Sequence, residues 1–168
     1  MPSQLLTAAT STFESLALLF ADVPASDAQR AAPLTHAVRV RFTGPFGGAL
    51  DVAVSDDVAV ALAANMLGHP PDAVAADARL RQDALGEVGN VVCGNVLPLV
   101  GGREAVFHLA APAPLPPDAL AGVLAAARDT ATLGLEGGRA VLAFHVDPVA
   151  PATPSHPEPA TAPLSPTQ

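Results

Sequence analysis

Residues 36–54 constrain the fold most. From His36 to Phe42, Val38, Val40 and Phe42 alternate with Arg39 and Arg41, the period of a strand with one face buried and the other polar. Gly44-Pro45-Phe46-Gly47-Gly48 reads as a turn, and Leu50, Val52 and Val54 resume the alternation from Ala49 to Val54. The pair predicts an antiparallel hairpin. A second hairpin is predicted near the end. Arg139 to Val146 alternates well after Glu136-Gly137-Gly138, and the Ala-dominated stretch from Leu124 to Leu135 is read as its first strand.

Helical spacing fills the gaps between these strands. Leu5, Leu6, Ala9, Phe13, Leu16 and Phe20 recur at three and four residues, predicting an amphipathic helix from about Gln4 to Ala21. Ser11 and Glu14 would form a capping box if that helix started later. Pro24 stops it, and Val23 to Pro33 reads as a polar loop. Ser55 is placed to cap a helix from Asp56 to Leu67, with Gly68 at its end and Pro70-Pro71 beyond. A second helix spans roughly Ala78 to Leu99. Val106 to Ala110 reads as a short strand, Pro112 to Pro117 as a loop, and Asp118 as the opening of a short helical turn. Blocks of helix and hairpin in this order predict an α+β fold: an antiparallel sheet built from hairpins with two long helices packed on it. The helix-then-hairpin order occurs twice, too faintly to count as a repeat. Residues 1–148 form the predicted domain. Beyond it, Pro at 7 of the 21 residues from Pro148 onward predicts a disordered tail over 149–168.

Composition excludes several functions. Sixteen acidic residues against eight Arg give a net charge of -8, and no Arg cluster supplies the cationic footprint that nucleic acid needs. One Cys, Cys93, rules out an internal disulfide and a thiolate-rich zinc site. The five His show no i, i+4 pair, so no metal ligand set is read from them. The N-terminal apolar stretch lacks a basic n-region and contains Glu14, unlike a signal peptide. No run of about 18 uncharged apolar residues offers a membrane span. These features predict a cytoplasmic protein. Lys, Ile, Trp and Tyr are absent, a bias that makes Ala the default residue and lends weight to the three Asn: Asn65, Asn90 and Asn95.

Against that background the helix beginning near Ala78 is costly. Gly86, Gly89 and Gly94 each forfeit about 1 kcal/mol relative to Ala. On a helical wheel Ala84, Leu85, Val88, Val91, Val92, Val96 and Leu99 share a broad apolar arc, and Asp83, Glu87, Asn90 and Gly94 share the opposite side. Glu87 and Asn90, three apart, stand on neighbouring turns. The glycines would permit either tight packing on the rest of the chain or close approach of a partner beside Glu87 and Asn90. Asn95, inside the apolar arc, is expected to be a core amide bonded to backbone. Cys93, at its edge, reads as a small hydrophobe.

Glu87-Val88-Gly89-Asn90, preceded by Asp83 and followed by Val91-Val92-Cys93-Gly94-Asn95, resembles the E-x-x-N helix of the CheC/CheX/FliY chemotaxis phosphatases, most nearly the CheX-like domain. The likeness runs from Gln4 to Pro148 through Phe13-Glu14, the 42–50 hairpin turn and Asn65-Met66-Leu67-Gly68. It implies hydrolysis of the aspartyl phosphate on a CheY-type receiver domain. Asn90 would orient the attacking water, Glu87 would pair with the receiver's lysine, and the receiver would supply Mg²⁺, so this chain would need no cofactor of its own. Ala17 stands where a second site, beginning at Glu14, would need Asn, which implies one active face. A sheet-edge homodimer fits the family. Two other functions fit the residues: an adaptor of the same fold that binds a receiver or a flagellar switch component without catalysis, and a small α+β scaffold that dimerises through a sheet edge.

Overall fold

Both hairpins form, and they are joined side by side. The computed structural model describes residues 3–148; the predicted tail lies outside them. Strand β2 (His36–Thr43) pairs antiparallel with β3 (Gly48–Val54), Val40 opposite Leu50. Strand β6 (Asp129–Leu135) pairs with β7 (Gly138–Val146) across the turn at Glu136-Gly137. Strands β3 and β7 then pair antiparallel, Leu50 opposite Phe144. Three two-residue strands complete a seven-stranded sheet. β1 (Ala21–Asp22) lies beside β6, and β4 (His108–Leu109) and β5 (Ala113–Pro114) lie along β2, giving the order β1-β6-β7-β3-β2-β4 with β5 also on β2.

Three helices cover one face of this sheet, each where helical spacing predicts one: α1 (Gln4–Ala17), α3 (Asp56–Leu67) and α5 (Ala78–Gly101). Val38, Val40 and Phe42 of β2 and Leu50, Val52 and Val54 of β3 meet Phe13, Leu62, Leu85, Val88 and Val92 in the main core. Each such side chain, once buried, contributes about 1.5–3 kcal/mol. Four of the six Phe close one end of this core, with Phe42 stacked on Phe144 at 5.4 Å and edge-on to Phe46 and Phe107. The other face of the sheet is covered by α6 (Leu120–Ala125), where Ala37, Ala53 and Leu120 form a second, small cluster. β3 is therefore buried along its whole length, not on one face only. Helix α5 is long and apolar enough to cross a membrane, but half of that apolar window is buried against the rest of the protein.

Several boundaries differ from the sequence reading, each for a local reason. α1 stops at Ala17, Leu18 turns into the left-handed region at φ 54°, and β1 takes the chain to the sheet edge. Phe20, assigned by periodicity to the buried face, is consequently 76% exposed. The capping box at Ser11 and Glu14 does not form, because Ser3 caps the helix by accepting from the Leu6 N–H at 3.1 Å. The expected polar loop holds a short helix, α2 (Asp27–Ala31), with its own capping box between Ser26 and Gln29. Pro71 opens another, α4 (Pro71–Ala75), as proline does at a first helical turn. Ser55 occupies the cap position of α3, yet its hydroxyl accepts from the Arg139 N–H of β7 at 3.0 Å. The 124–135 stretch divides into the end of α6 and β6, and the expected 106–110 strand shrinks to β4.

Candidate active site

Helix α5 is sunk into the fold. A Cβ at Gly89 would lie 3.1 Å from Val40 Cγ2 and 3.3 Å from Val38 Cγ2, and one at Gly86 would lie 3.2 Å from Pro112 Cβ. Two of the three costly glycines are thus explained by close approach of this chain's own sheet. Gly94 has nothing within 4 Å of that position. The close seating widens the buried arc beyond the predicted one. Gly86, Gly89, Cys93 and Leu97 join it, while Val91 is half-buried and Leu99 is 50% exposed. At the N-terminus Asp77 caps the helix, and the Arg81 guanidinium donates to the Val74 carbonyl of α4 at 2.8 Å.

What remains uncovered along the first turns is the strip predicted from the wheel: Asp83 and Glu87 exposed, Asn90 half-buried. These residues line one groove of about 310 Å³ whose opposite wall is Pro112 and Pro114. That wall is fixed to the sheet, since the Ala110 N–H donates to the Arg41 carbonyl at 2.8 Å and the Leu115 N–H to the Ala37 carbonyl at 2.9 Å. Sequence reasoning missed the wall. Pro112 to Pro117 carries no periodicity, and its proline density signals only irregular backbone. Proline at an edge position costs no ladder bond, which is why Pro114 can sit in β5.

The three asparagines behave differently. Asn65 donates to the Ala17 carbonyl at 2.9 Å, tying α3 to α1. Asn95 is exposed and donates to Thr12 Oγ1 at 3.1 Å, tying α5 to α1, which corrects its expected place as a core amide on backbone. Asn90 has no hydrogen bond among the described residues, and neither has Glu87. Two adjacent polar side chains are therefore free for another molecule: a carboxylate suited to a cation, and an amide able to donate and accept.

Other chemistry near this helix is closed off. Burial pushes the Cys93 thiol up to about 12, so the thiolate a nucleophile requires is scarce at neutral pH. No group of three or more His, Cys, Asp or Glu among the described residues could hold a metal ion. His36 pairs with Asp56 at 2.8 Å and His145 approaches Asp51 at 2.8 Å, both on strands as expected, while His108 is exposed. Ala17 is fully buried.

Comparison with known proteins places this arrangement. No curated protein matches the sequence. Among solved structures, the chemotaxis protein CheX from Vibrio vulnificus superposes with a TM-score of 0.61 at 14% identity, over 88% of this chain and 100% of that one. CheX from Desulfovibrio desulfuricans gives 0.60 at 17%, over 86% and 97%. The CheX-CheY-BeF3-Mg complex from Borrelia burgdorferi gives 0.54 at 15%, over 85% and 95%. At these identities the likeness is one of fold. The sequence model of the family described as chemotaxis phosphatase CheX matches residues 36–121, from β2 through α5 to the start of α6. That match spans just over half of the sequence and includes the whole candidate site, and the chain belongs to the CheX family.

Proposed function

We propose that the protein hydrolyses the aspartyl phosphate of a CheY-type receiver domain, with Asn90 and Glu87 as the residues that enter the receiver's site. The observation that carries this reading is the pair of side chains, Glu87 and Asn90, that stand together on the uncovered strip of α5 with no hydrogen bond among the described residues. An amide has little basicity, so Asn90 acts by holding a water in line with the phosphorus. The water oxygen bonds to phosphorus as the bond to the aspartyl oxygen breaks, releasing a free carboxylate and inorganic phosphate. Positioning is much of what phosphoryl transfer needs. Glu87 pairs with the receiver's lysine, a contact strengthened as docking excludes water. Mg²⁺ belongs to the receiver in this reading, and no residue of this chain is assigned to it. The Borrelia burgdorferi complex, in which a CheX holds CheY with BeF3 and Mg, supports a receiver as partner. The cytoplasm is the proposed location, and a homodimer through a sheet edge is the proposed assembly.

The test is phosphate release from a phosphorylated receiver of the same genome. Asn90→Ala is expected to lower the acceleration by about two orders of magnitude, the cost of losing alignment at a reacting centre, while leaving binding intact. Glu87→Ala is expected to weaken binding by about thirtyfold or more, as for removal of one partner of a desolvated ion pair. Binding without acceleration by the wild-type protein would make it an adaptor, and neither effect across a panel of receivers would exclude the reading.

A further inference from the structure

The sheet face turned away from α5 carries a charged network that the proposed phosphatase chemistry does not use. Arg39 and Arg41 alternate with Val38 and Val40, so they project on the side opposite the α5 glycines. Asp51, on the central strand β3, is 1% exposed. Arg39 grips it with two hydrogen bonds, Nε to Oδ1 at 2.7 Å and Nη2 to Oδ2 at 2.8 Å. His145 Nε2 lies 2.8 Å from Asp51 Oδ2, but off hydrogen-bonding alignment, and is a buried nitrogen without a hydrogen bond. A buried ion pair is weak evidence of stability, since apolar residues of similar volume commonly serve as well. In a chain with 50% apolar residues, its presence calls for another account.

The strand register supplies one. Arg41 is opposite Ala49, and Ala49 is opposite His145. With strands about 5 Å apart, Arg41 and His145 stand roughly 10 Å apart, with only a methyl group between them. This makes a notch of about 330 Å³, roofed by Gly122 and Val123 of α6. Asp51 neutralises Arg39 and fixes its guanidinium, whose remaining N–H groups are not used by the carboxylate. Arg41 is exposed and has no ion pair among the described residues. Asp147 stands on the rim with the opposite charge.

We propose that this notch is a binding site for a small oxyanion, phosphate or carboxylate in class, held by Arg41 and by the preset guanidinium of Arg39 beside His145. Planar guanidinium groups match both anions with paired N–H donors. The Ala49 floor and the Gly122 roof limit the ligand to a small body. Asp147 opposes binding and sets an upper limit on affinity. The site is independent of the proposed phosphatase reaction, which uses the other face of the sheet.

The full-length protein is titrated with inorganic phosphate and, separately, with succinate, at constant ionic strength, and amide chemical shifts are followed. Saturable shifts at Ala49, Gly122 and His145 below about 10 mM are expected, and the tighter of the two anions identifies the class of ligand. Arg41→Gln, at an exposed position, should weaken binding by about tenfold and Asp147→Asn should tighten it by about threefold, as charge-assisted contacts require. Ala49→Leu should abolish binding by filling the notch, with circular dichroism checking its fold; Asn90→Ala should leave binding unchanged. No saturation with either anion would overturn the proposal. So would binding that Arg41→Gln and Asp147→Asn fail to move in opposite directions.

Discussion

At the scale of single residues, the informative contrast is between polar groups that are engaged and those that are not. Asp51 is engaged twice by Arg39, whose pKa is raised chiefly by its hydrogen bonds to that carboxylate. Asp51→Ala leaves the half-buried guanidinium uncompensated and is expected to cost about 3–5 kcal/mol, read as a fall in the denaturant midpoint. Cys93 gives a pH signature. Its folded pKa lies above the unfolded value of 9.0, so its contribution is fully present below pH 9 and is lost as pH rises toward about 12. The slope in that window is about 1.4 kcal/mol per pH unit. Cys93→Ala should flatten the loss above pH 9 in unfolding titrations, and native protein should resist a thiol reagent at pH 8 that modifies the unfolded chain. The uncovered strip that holds Glu87 and Asn90 was legible from helical spacing, because side chains directed away from the core answer to few neighbours. Asn95 was misplaced because its partner, Thr12, lies 83 positions away, and no local pattern records that contact.

At the scale of elements, α5 shows two kinds of glycine that a sequence cannot tell apart. Gly94 faces open space, so Gly94→Ala should raise stability by about 0.5–1 kcal/mol through helix propensity alone. Gly89→Ala gains the same propensity but pushes a methyl into Val38 and Val40, an overpacking cost of about 1–3 kcal/mol. It should lower the midpoint and, by lifting the helix, reduce the proposed phosphatase activity; Gly94→Ala should not. Chemical denaturation and phosphate release on the pair separate these outcomes. Strong alternation made β2, β3 and β7 readable, because pairing and burial act on the same residues. The C-terminal end of α1, the bounds of β4 and the short β1 and β5 were not, since two-residue strands have no period and exist only where a neighbouring strand offers free backbone groups. The same holds for the Pro112 wall.

At the scale of the whole molecule, the α+β class and the sheet built from two hairpins followed from the order of blocks. The third covering helix was visible in sequence but was not counted among the long ones. The family match and the candidate site end before residue 149. Removing residues 149–168 is therefore expected to leave both the unfolding midpoint and receiver dephosphorylation unchanged, which thermal melts and phosphate release would check. The sheet separates two surfaces, and β2 contributes to both. Val38 and Val40 seat the helix that carries Glu87 and Asn90, whereas Arg39 and Arg41 line the notch behind. Among the β2 residues that serve one surface only, Val38, Val40 and Phe42 against Arg41, tolerance to substitution should accordingly follow the parity of the position, whereas Ala37 and Arg39 are also held by packing and by the Asp51 pair. In a saturation library, Val38, Val40 and Phe42 would be purged by a screen for dephosphorylation and folding. Arg41 would be lost only under a screen that reads the rear surface. A strand of eight residues would thus record two separate selective histories, interleaved one residue at a time.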